Sequence, residues 1–341
     1  MTSTPDFPPK LTPHDPRVLS KTTTINGKKY HYLFSAPPPP TGGDDASQPR
    51  GTVLLIHGWP DLSFGWRYQV PFLVSLGLRV IVPDLPGFGR SDSPAELTAY
   101  SLKSVTHDLL ELVESEVPGG RQQIEKEGGI LVGGHDWGGA VAWRFALWFP
   151  DLTRAVFSLQ LSGPEFEAEV KGEEKIRQFL SGIYGAQGPN GERMFTSEKG
   201  CLFETLPLMG KSPLLDEQEM DYYVKEVAGN DGGSMRGGLN WYRTSQVNYE
   251  EERELLKQLE KRGKNVNGEK IVEPPALFVL ATRDKQLPPA MSKGMERFFE
   301  KKLMRREVEA GHWALWEQPV KVNQAIAEFL DGVLAKGDAK L

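Results

Sequence analysis

The chain has 341 residues, a formal net charge of −6 and one cysteine. The acidic balance argues against a nucleic-acid partner. Cys201 has no second cysteine with which to form an internal disulfide, which favours a reducing, cytoplasmic compartment. No run of about eighteen apolar residues occurs, so we expect no membrane span. The final residues, Ala339-Lys340-Leu341, are similar to the Ser-Lys-Leu peroxisomal address, which makes the peroxisome an alternative location.

The first half of the chain alternates strand and helix patterns. Residues Thr22 to Ala36 surround an Asn26-Gly27 pair, which is typical of a β-hairpin. Short, continuous apolar runs then predict buried parallel strands. These runs are 52–56, 79–83 and 130–133, and the helical segments that follow them are 66–76, 101–114 and 140–149.

The strand pattern disappears from Pro164 to about Arg262, where helical segments separated by Gly and Pro take over. Strand and helix order then resumes. The predicted elements are a strand at 275–281, a helix at 289–301, a strand at 304–308 and a helix at 318–334. The order predicts an α/β fold with a mostly parallel sheet and an inserted, all-helical lid. We expect the core to comprise residues 15–160 and 263–336, and the lid residues 161–262.

A sharp turn connects the third apolar run to the helix that follows it. Glycines flank the central residue in the pattern Gly134-x-Asp136-x-Gly138, as a strained turn without room for Cβ atoms requires. This spacing is that of a nucleophile elbow, with Asp136 where serine hydrolases have Ser. The alternative is that Asp136 merely caps the helix.

Two further residues follow predicted strands. Asp284 comes just after the strand at 275–281, and His312 comes just after the strand at 304–308. Nucleophile, acid and histidine therefore occur in the chain order of an α/β-hydrolase triad. Taken singly, Asp284 could be an ordinary loop residue and His312 a satisfied, partly buried histidine.

An aspartate nucleophile implies a particular reaction. Its carboxylate is ionised at neutral pH and can displace a leaving group at an sp³ carbon, forming an ester. His312, oriented by Asp284, would then activate the water that hydrolyses this ester. The backbone N–H groups of Trp59 and Trp137 are in position to stabilise the resulting oxyanion.

We expect no cofactor. The six histidines show no His-x-x-x-His or Cys-His spacing, which argues against a metal, and displacement by a carboxylate needs no Lewis acid. The Gly87-x-Gly89 pair has no third glycine that opens a helix, which argues against nicotinamide or flavin binding.

Together these motifs resemble the soluble epoxide hydrolase family of the α/β-hydrolase fold. The resemblance covers residues 15 to 335 and rests on His57-Gly58-Trp59-Pro60, Trp66-Arg67, Gly87-Phe88-Gly89-Arg90-Ser91, Gly134-His135-Asp136-Trp137-Gly138-Gly139, Asp284 and Gly311-His312-Trp313.

The resemblance implies that a small hydrophobic epoxide and water are converted to a vicinal diol. It also gives Tyr242 a role, because the family uses lid tyrosines to hydrogen-bond the epoxide oxygen; the alternative is that Tyr242 only packs the lid on the core. Tryptophans near the motifs suggest an apolar pocket. We expect His57, Pro60, Trp241 and Trp313 to line it, and the protein to be a monomer or a homodimer.

One part of the family pattern is missing. Such enzymes usually carry a second lid tyrosine, but here Ala155-Val156-Phe157-Ser158 runs directly into the lid, and Phe157 has no hydroxyl. Tyr184 and Tyr223 are the substitutes nearest in sequence. Two alternatives therefore stay open: a haloalkane dehalogenase, which shares the Asp nucleophile, and a hydrolase-like protein that binds a ligand without turnover.

Overall fold

The computed structural model describes residues 7–38, 49–159, 170, 172–196, 200–230, 235–264 and 269–338. Residues 160–165, the start of the lid into which Ala155-Val156-Phe157-Ser158 runs, lie outside this range. So does the tripeptide at 339–341.

Eight strands of the described residues form one sheet. The strands are β1 (Leu19–Ile25), β2 (Lys28–Ser35), β3 (Thr52–Ile56), β4 (Arg79–Pro83), β5 (Ile130–His135), β6 (Thr153–Leu159), β9 (Ala276–Ala281) and β10 (Met304–Val308). Their order in the sheet is β1-β2-β4-β3-β5-β6-β9-β10. Only the β1–β2 and β2–β4 pairs are antiparallel, and the other neighbours are parallel. The predicted mostly parallel sheet is confirmed.

The hairpin at the start of the sheet follows from its turn residues. Asn26 and Gly27 both have positive φ angles, 48° and 77°, the combination that closes a two-residue hairpin turn. In the middle of the sheet, β3, β4, β5 and β9 are buried along their whole length, which explains why their sequences are continuous apolar runs.

Helices cover both the sheet and its carboxyl edge. Those of the core are α1 (Gln69–Ser75), α2 (Leu102–Glu116), α3 (Gly120–Lys126), α4 (Trp137–Trp148), α9 (Ala314–Glu317) and α10 (Pro319–Asp338). Those between β6 and β9 are α5 (Glu173–Ile183), α6 (Glu217–Gly229), α7 (Arg236–Leu239) and α8 (Ser245–Lys261). None of the helices in the described part of the chain is both long and apolar enough to cross a membrane.

Two local expectations are wrong. The lid is not all-helical, because β7 (Phe195–Thr196) and β8 (Gly200–Cys201) form a short antiparallel pair. The expected helix at 289–301 is instead two short 3₁₀ turns, Pro289–Ser292 and Met295–Phe298. Gly294, with φ 76°, separates these turns, and a left-handed residue at this point ends helical hydrogen bonding.

The topology places three motifs at one edge. β5, β9 and β10 are parallel members of the sheet, so their carboxyl ends lie on the same side. Asp136, Asp284 and His312 follow these three ends, and open α/β sheets bind ligands at this edge.

Candidate active site

Asp136 lies on a strained turn between β5 and α4, with φ 56° and ψ −124°. The backbone packs so tightly around it that side chains cannot fit at the flanking glycines. A Cβ atom at Gly134 would lie 2.1 Å from the carbonyl oxygen of Gly138, and one at Gly138 would lie 2.0 Å from that of Ile56. The glycine spacing in the sequence is therefore a steric requirement of this turn.

The turn, together with the loops after β9 and β10, brings the three predicted triad residues together. The Nδ1 atom of His312 lies 3.0 Å from Oδ2 of Asp284, and its Nε2 atom lies 3.6 Å from Oδ2 of Asp136. Asp284 also accepts hydrogen bonds from the backbone N–H groups of Gln286 (2.7 Å) and Leu287 (3.1 Å). Asp284 thus fixes the ring, and the other ring nitrogen is directed at Asp136.

Burial and neighbouring charges shift the pKa values of His312 and Asp284. Burial acts to lower the pKa of His312, but the hydrogen bond to Asp284 and the charges of Asp284 and Asp136 outweigh it and hold the pKa above its ordinary value. Burial acts to raise the pKa of Asp284, yet hydrogen bonds from His312 and the backbone keep it lowered. Asp284 is therefore ionised at neutral pH, as an orienting acid must be.

One of the two expected oxyanion donors contacts the Asp136 carboxylate directly. The backbone N–H of Trp59 donates to Oδ1 of Asp136 at 2.9 Å. Trp137 is the first residue of α4, where backbone N–H groups have no partner within the helix. The two carboxylate oxygens consequently differ, because Oδ1 receives a backbone donor and Oδ2 faces His312.

Tyr242 lies in a 3₁₀ turn of the lid, Asn240–Arg243, directly over these two tryptophans. Its ring centroid is 5.8 Å from that of Trp59 and 5.2 Å from that of Trp137, in edge-to-face contact with both. Its hydroxyl oxygen is buried. The lid therefore places the phenol of Tyr242 against Trp59 and Trp137, the two tryptophans next to Asp136.

The four expected pocket residues have different surroundings. His57 is fully buried, and both ring nitrogens are used by the main chain: Nδ1 donates to the Gly58 carbonyl at 2.8 Å and Nε2 accepts from the Leu85 N–H at 2.9 Å. Its position joins the loops after β3 and β4. Trp241 has a similar bracing contact, since its indole Nε1 donates to the Pro86 carbonyl at 3.0 Å.

Pro60 and Trp313 each line a cavity. Pro60 is among the residues that line a cavity of about 20 Å³ with Trp59 and Phe88. Trp313 lines a larger cleft of about 570 Å³ that also reaches His312 and Asp284. The cleft runs between the lid and the loops after β9 and β10, so it connects the acid and histidine to the protein surface.

The hydroxyls of Tyr184 and Tyr223, the two candidate substitutes for the second lid tyrosine, are hydrogen-bonded to other groups. The hydroxyl of Tyr184 donates to the Pro60 carbonyl at 2.5 Å, and that of Tyr223 donates to Oδ1 of Asp61 at 2.7 Å. Both side chains are fully buried. In this arrangement the hydroxyls tie the lid to the Pro60-Asp61 turn.

Two residues near the site were not singled out in the sequence. His135 is fully buried before the elbow, and its Nε2 donates to the backbone carbonyl of His312 at 3.0 Å. Burial lowers the pKa of His135 to about 3, so this histidine is neutral. Asp61 is a buried carboxyl group beneath the lid. His135 belongs to the motif around Asp136, and Asp61 directly follows the motif His57-Gly58-Trp59-Pro60, but only the fold reveals their partners.

Comparison with known proteins identifies relatives of this chain. Residues 51–319 match the family model described as alpha/beta hydrolase fold. The epoxide hydrolase srdG of Neurospora crassa is 38% identical over 96% of this chain and 99% of its own length. The bifunctional epoxide hydrolase 2 of Sus scrofa is 28% identical over 96% of this chain, which spans 58% of that longer protein.

Solved structures agree on the fold. The crystal structure of epoxide hydrolase A from Mycobacterium thermoresistibile superimposes with a TM-score of 0.68, covering 92% of this chain and 98% of that one, at 24% identity. The resemblance inferred from the motifs is confirmed by the Neurospora relative, which matches essentially end to end at 38% identity. The chain belongs to the epoxide hydrolase family of the α/β-hydrolase fold.

Proposed function

We propose that this protein is an epoxide hydrolase that adds water to a small hydrophobic epoxide through a covalent ester at Asp136. One observation carries the proposal: His312 lies between two carboxylates, hydrogen-bonded to Asp284 and facing Asp136. The full-length relative named epoxide hydrolase supports the substrate class.

The first step is displacement. Oδ2 of Asp136 attacks one carbon of the epoxide, the C–O bond breaks, and the Asp136 ester and an alkoxide form. Tyr242 donates its phenolic proton to this oxygen as the charge develops, because an alkoxide is far more basic than a phenolate. The ring packing of Tyr242 over Trp59 and Trp137 supports this role, since it keeps the lid close to the nucleophile.

The second step is hydrolysis of the ester. Nε2 of His312 takes a proton from water, and the hydroxide attacks the carbonyl carbon of Asp136. The negative charge then collects on Oδ1, where the Trp59 N–H already donates at 2.9 Å and the Trp137 N–H is the second donor. Collapse of the tetrahedral species breaks the bond between the Asp136 carbonyl carbon and the oxygen attached to the substrate. That oxygen takes the proton from His312 and leaves as the second hydroxyl of the diol, and the remaining proton on the Asp136 carboxyl group returns through solvent to Tyr242, which regenerates the Asp136 carboxylate.

Mass spectrometry of the His312→Ala variant tests this scheme. After incubation with styrene oxide, we expect a mass increase equal to one epoxide on the peptide that contains Asp136, because the ester forms but is not hydrolysed. Asp136→Ala is the control and forms no adduct. A folded His312→Ala protein without an adduct, across several epoxides, would contradict the covalent mechanism and favour binding without turnover.

A second candidate is haloalkane dehalogenation. The indole Nε1 of Trp137 is buried and has no hydrogen-bond partner among the described residues, and such a donor next to the nucleophile suits a departing halide. Free halide released from a bromoalkane by the wild-type protein, and not by Asp136→Ala, would support this candidate.

We also propose a cytoplasmic, reducing location. The support is the single cysteine, Cys201, which has no second cysteine with which to form an internal disulfide. Microscopy of a chain tagged at its amino terminus tests the location. A diffuse cytoplasmic signal supports it, and overlap with a peroxisomal marker would favour the alternative from the C-terminal tripeptide.

A further inference from the structure

A second group of hydrolase-type residues lies where the β1–β2 hairpin, at the edge of the sheet, meets the loop after β4. The Oγ atom of Ser20 is 2.8 Å from Nε2 of His31. On the other side of the ring, Nδ1 of His31 is 2.6 Å from Oδ2 of Asp84. These contacts have the connectivity of a serine–histidine–acid triad. None of the three residues belongs to the Asp136 site.

The ring of His31 is held so that the hydrogen-bond roles are determined. Its Nδ1 faces a carboxylate, which can only accept, so Nδ1 carries the proton and Nε2 accepts from the Ser20 hydroxyl. The His31 side chain is 2% exposed, and its backbone N–H donates to Oγ of Ser91 at 2.9 Å. The histidine is thus positioned as a base toward Ser20.

The acid is fixed in the same way. Oδ1 of Asp84 accepts from the Ser63 backbone N–H at 2.8 Å, while Oδ2 faces His31. Burial acts to raise the pKa of Asp84, but the hydrogen bond and charge of His31 outweigh it and bring the pKa to about 2. Asp84 is therefore ionised at neutral pH and stabilises positive charge on His31.

The hydroxyl is at the surface, and a positive charge lies beside it. Ser20 is exposed on β1, whereas its two partners are buried. An Nη1 atom of Arg90 lies 3.4 Å from Oγ of Ser20, while the rest of that guanidinium pairs with Glu226. Arg90, but none of the three residues of the group, lines an open groove of about 640 Å³ next to α6.

We propose that Ser20, His31 and Asp84 form a second, serine-based hydrolytic site that accepts small activated esters. Oγ of Ser20 attacks the ester carbonyl carbon while its proton passes to Nε2 of His31. The Arg90 guanidinium stabilises the oxyanion, and the alcohol leaves with the proton from His31. Water then attacks the acyl group on Ser20, with His31 again taking a proton, and releases the carboxylic acid.

Labelling with a fluorophosphonate tests the nucleophile. The full chain carrying Asp136→Ala is used, so that the first site contributes nothing. Attack by Ser20 forms an O–P bond and releases fluoride, and peptide mass spectrometry locates the product. Thr22, exposed on the same strand two residues away, is the internal reference because its hydroxyl makes no hydrogen bond to a histidine within the described part of the chain. We expect the adduct on Ser20 and none on Thr22.

Turnover of p-nitrophenyl acetate tests the reaction. In the Asp136→Ala background, we expect Ser20→Ala to lower the rate at least tenfold and Thr22→Ala to leave it unchanged, with thermal unfolding confirming that both proteins fold. His31→Gln should lose labelling as well; if it does not fold, the comparison of Ser20 with Thr22 still decides. No adduct on Ser20, equal adducts on Ser20 and Thr22, or unchanged turnover in Ser20→Ala would show that the three residues only anchor the hairpin.

Discussion

The Nδ1 atom of His312 lies 3.0 Å from Oδ2 of Asp284, although the two residues follow different strands of the sheet. This contact fixes which ring nitrogen carries the proton, because the carboxylate can only accept. It leaves Nε2 available on the side of Asp136. In the proposed mechanism, the second chemical step therefore depends on Asp284, although this residue does not contact the substrate carbon.

We expect Asp284→Asn to slow hydrolysis of the Asp136 ester by about a hundredfold or more, because the amide neither stabilises the imidazolium nor fixes the tautomer. Ester formation should change little. Single-turnover measurements with styrene oxide, which follow the ester by mass spectrometry, separate the two steps. Asp151→Asn, a substitution at an exposed acid paired with Arg262, is the matched control. Equal slowing of both steps would contradict a role confined to His312.

The pH dependence of ester hydrolysis should carry the signature of the same pair. His312 acts as a base only when neutral, so the rate should fall as pH decreases through its pKa, which lies above the ordinary value of 6.5. In Asp284→Asn the main cause of the upward shift is gone, and the acidic limb of the profile should move to lower pH. Rapid-quench measurements across pH 5–9 check this. An acidic limb at the same pH in both proteins would assign it to another group.

Tyr242→Phe should lower the rate of ring opening by about a hundredfold, because the developing alkoxide loses its proton donor. The ring contacts with Trp59 and Trp137 persist in the phenylalanine variant, so the loss of stability should stay below about 1.5 kcal/mol, the net contribution of one hydroxyl hydrogen bond. Tyr249→Phe, at a lid tyrosine that is 63% exposed, is the control. A Tyr242→Phe protein slowed only in ester hydrolysis would remove the tyrosine from the first step.

Asp61 should make the protein less stable as pH rises. Burial raises its pKa from 3.8 to about 7 in the folded protein, where it accepts a hydrogen bond from Tyr223. The unfolded chain releases this proton near pH 4, so the stabilising effect is complete below that pH and is lost as pH rises through 7. Asp61→Asn keeps the acceptor oxygen and removes the charge.

We expect Asp61→Asn to gain stability relative to the wild type as pH increases, from little at pH 4 to about 4 kcal/mol at pH 8.5, because a pKa that differs between 3.8 and about 7 is worth about 1.4 kcal/mol for each pH unit between them. Urea unfolding at the two pH values measures the difference. A constant difference between the two proteins would show that Asp61 does not titrate between those values.

Local sequence was sufficient for the parts of this protein that depend on neighbouring residues. The Asn26-Gly27 pair predicts its turn because both residues tolerate positive φ angles. The apolar runs predict β3, β4, β5 and β9 because these strands are buried on both faces of the sheet. The glycines around Asp136 predict the sharp turn because it has no room for Cβ atoms. The helix expected at 289–301 fails for a local reason as well, since Gly294 adopts a left-handed conformation that apolar periodicity does not reveal.

Contacts between distant residues were decided only by the tertiary structure. The strand order brings Asp136, Asp284 and His312 to one edge, but their distances depend on loop conformations that no spacing predicts. His57 illustrates the limit: its motif suggests a pocket residue, yet both nitrogens bond to backbone groups, one of them in a loop nearly thirty residues away. The sequence determined which side chains are available for chemistry, and the packing of loops and lid determined which atoms face one another, because side-chain partners depend on three-dimensional proximity and not on chain order.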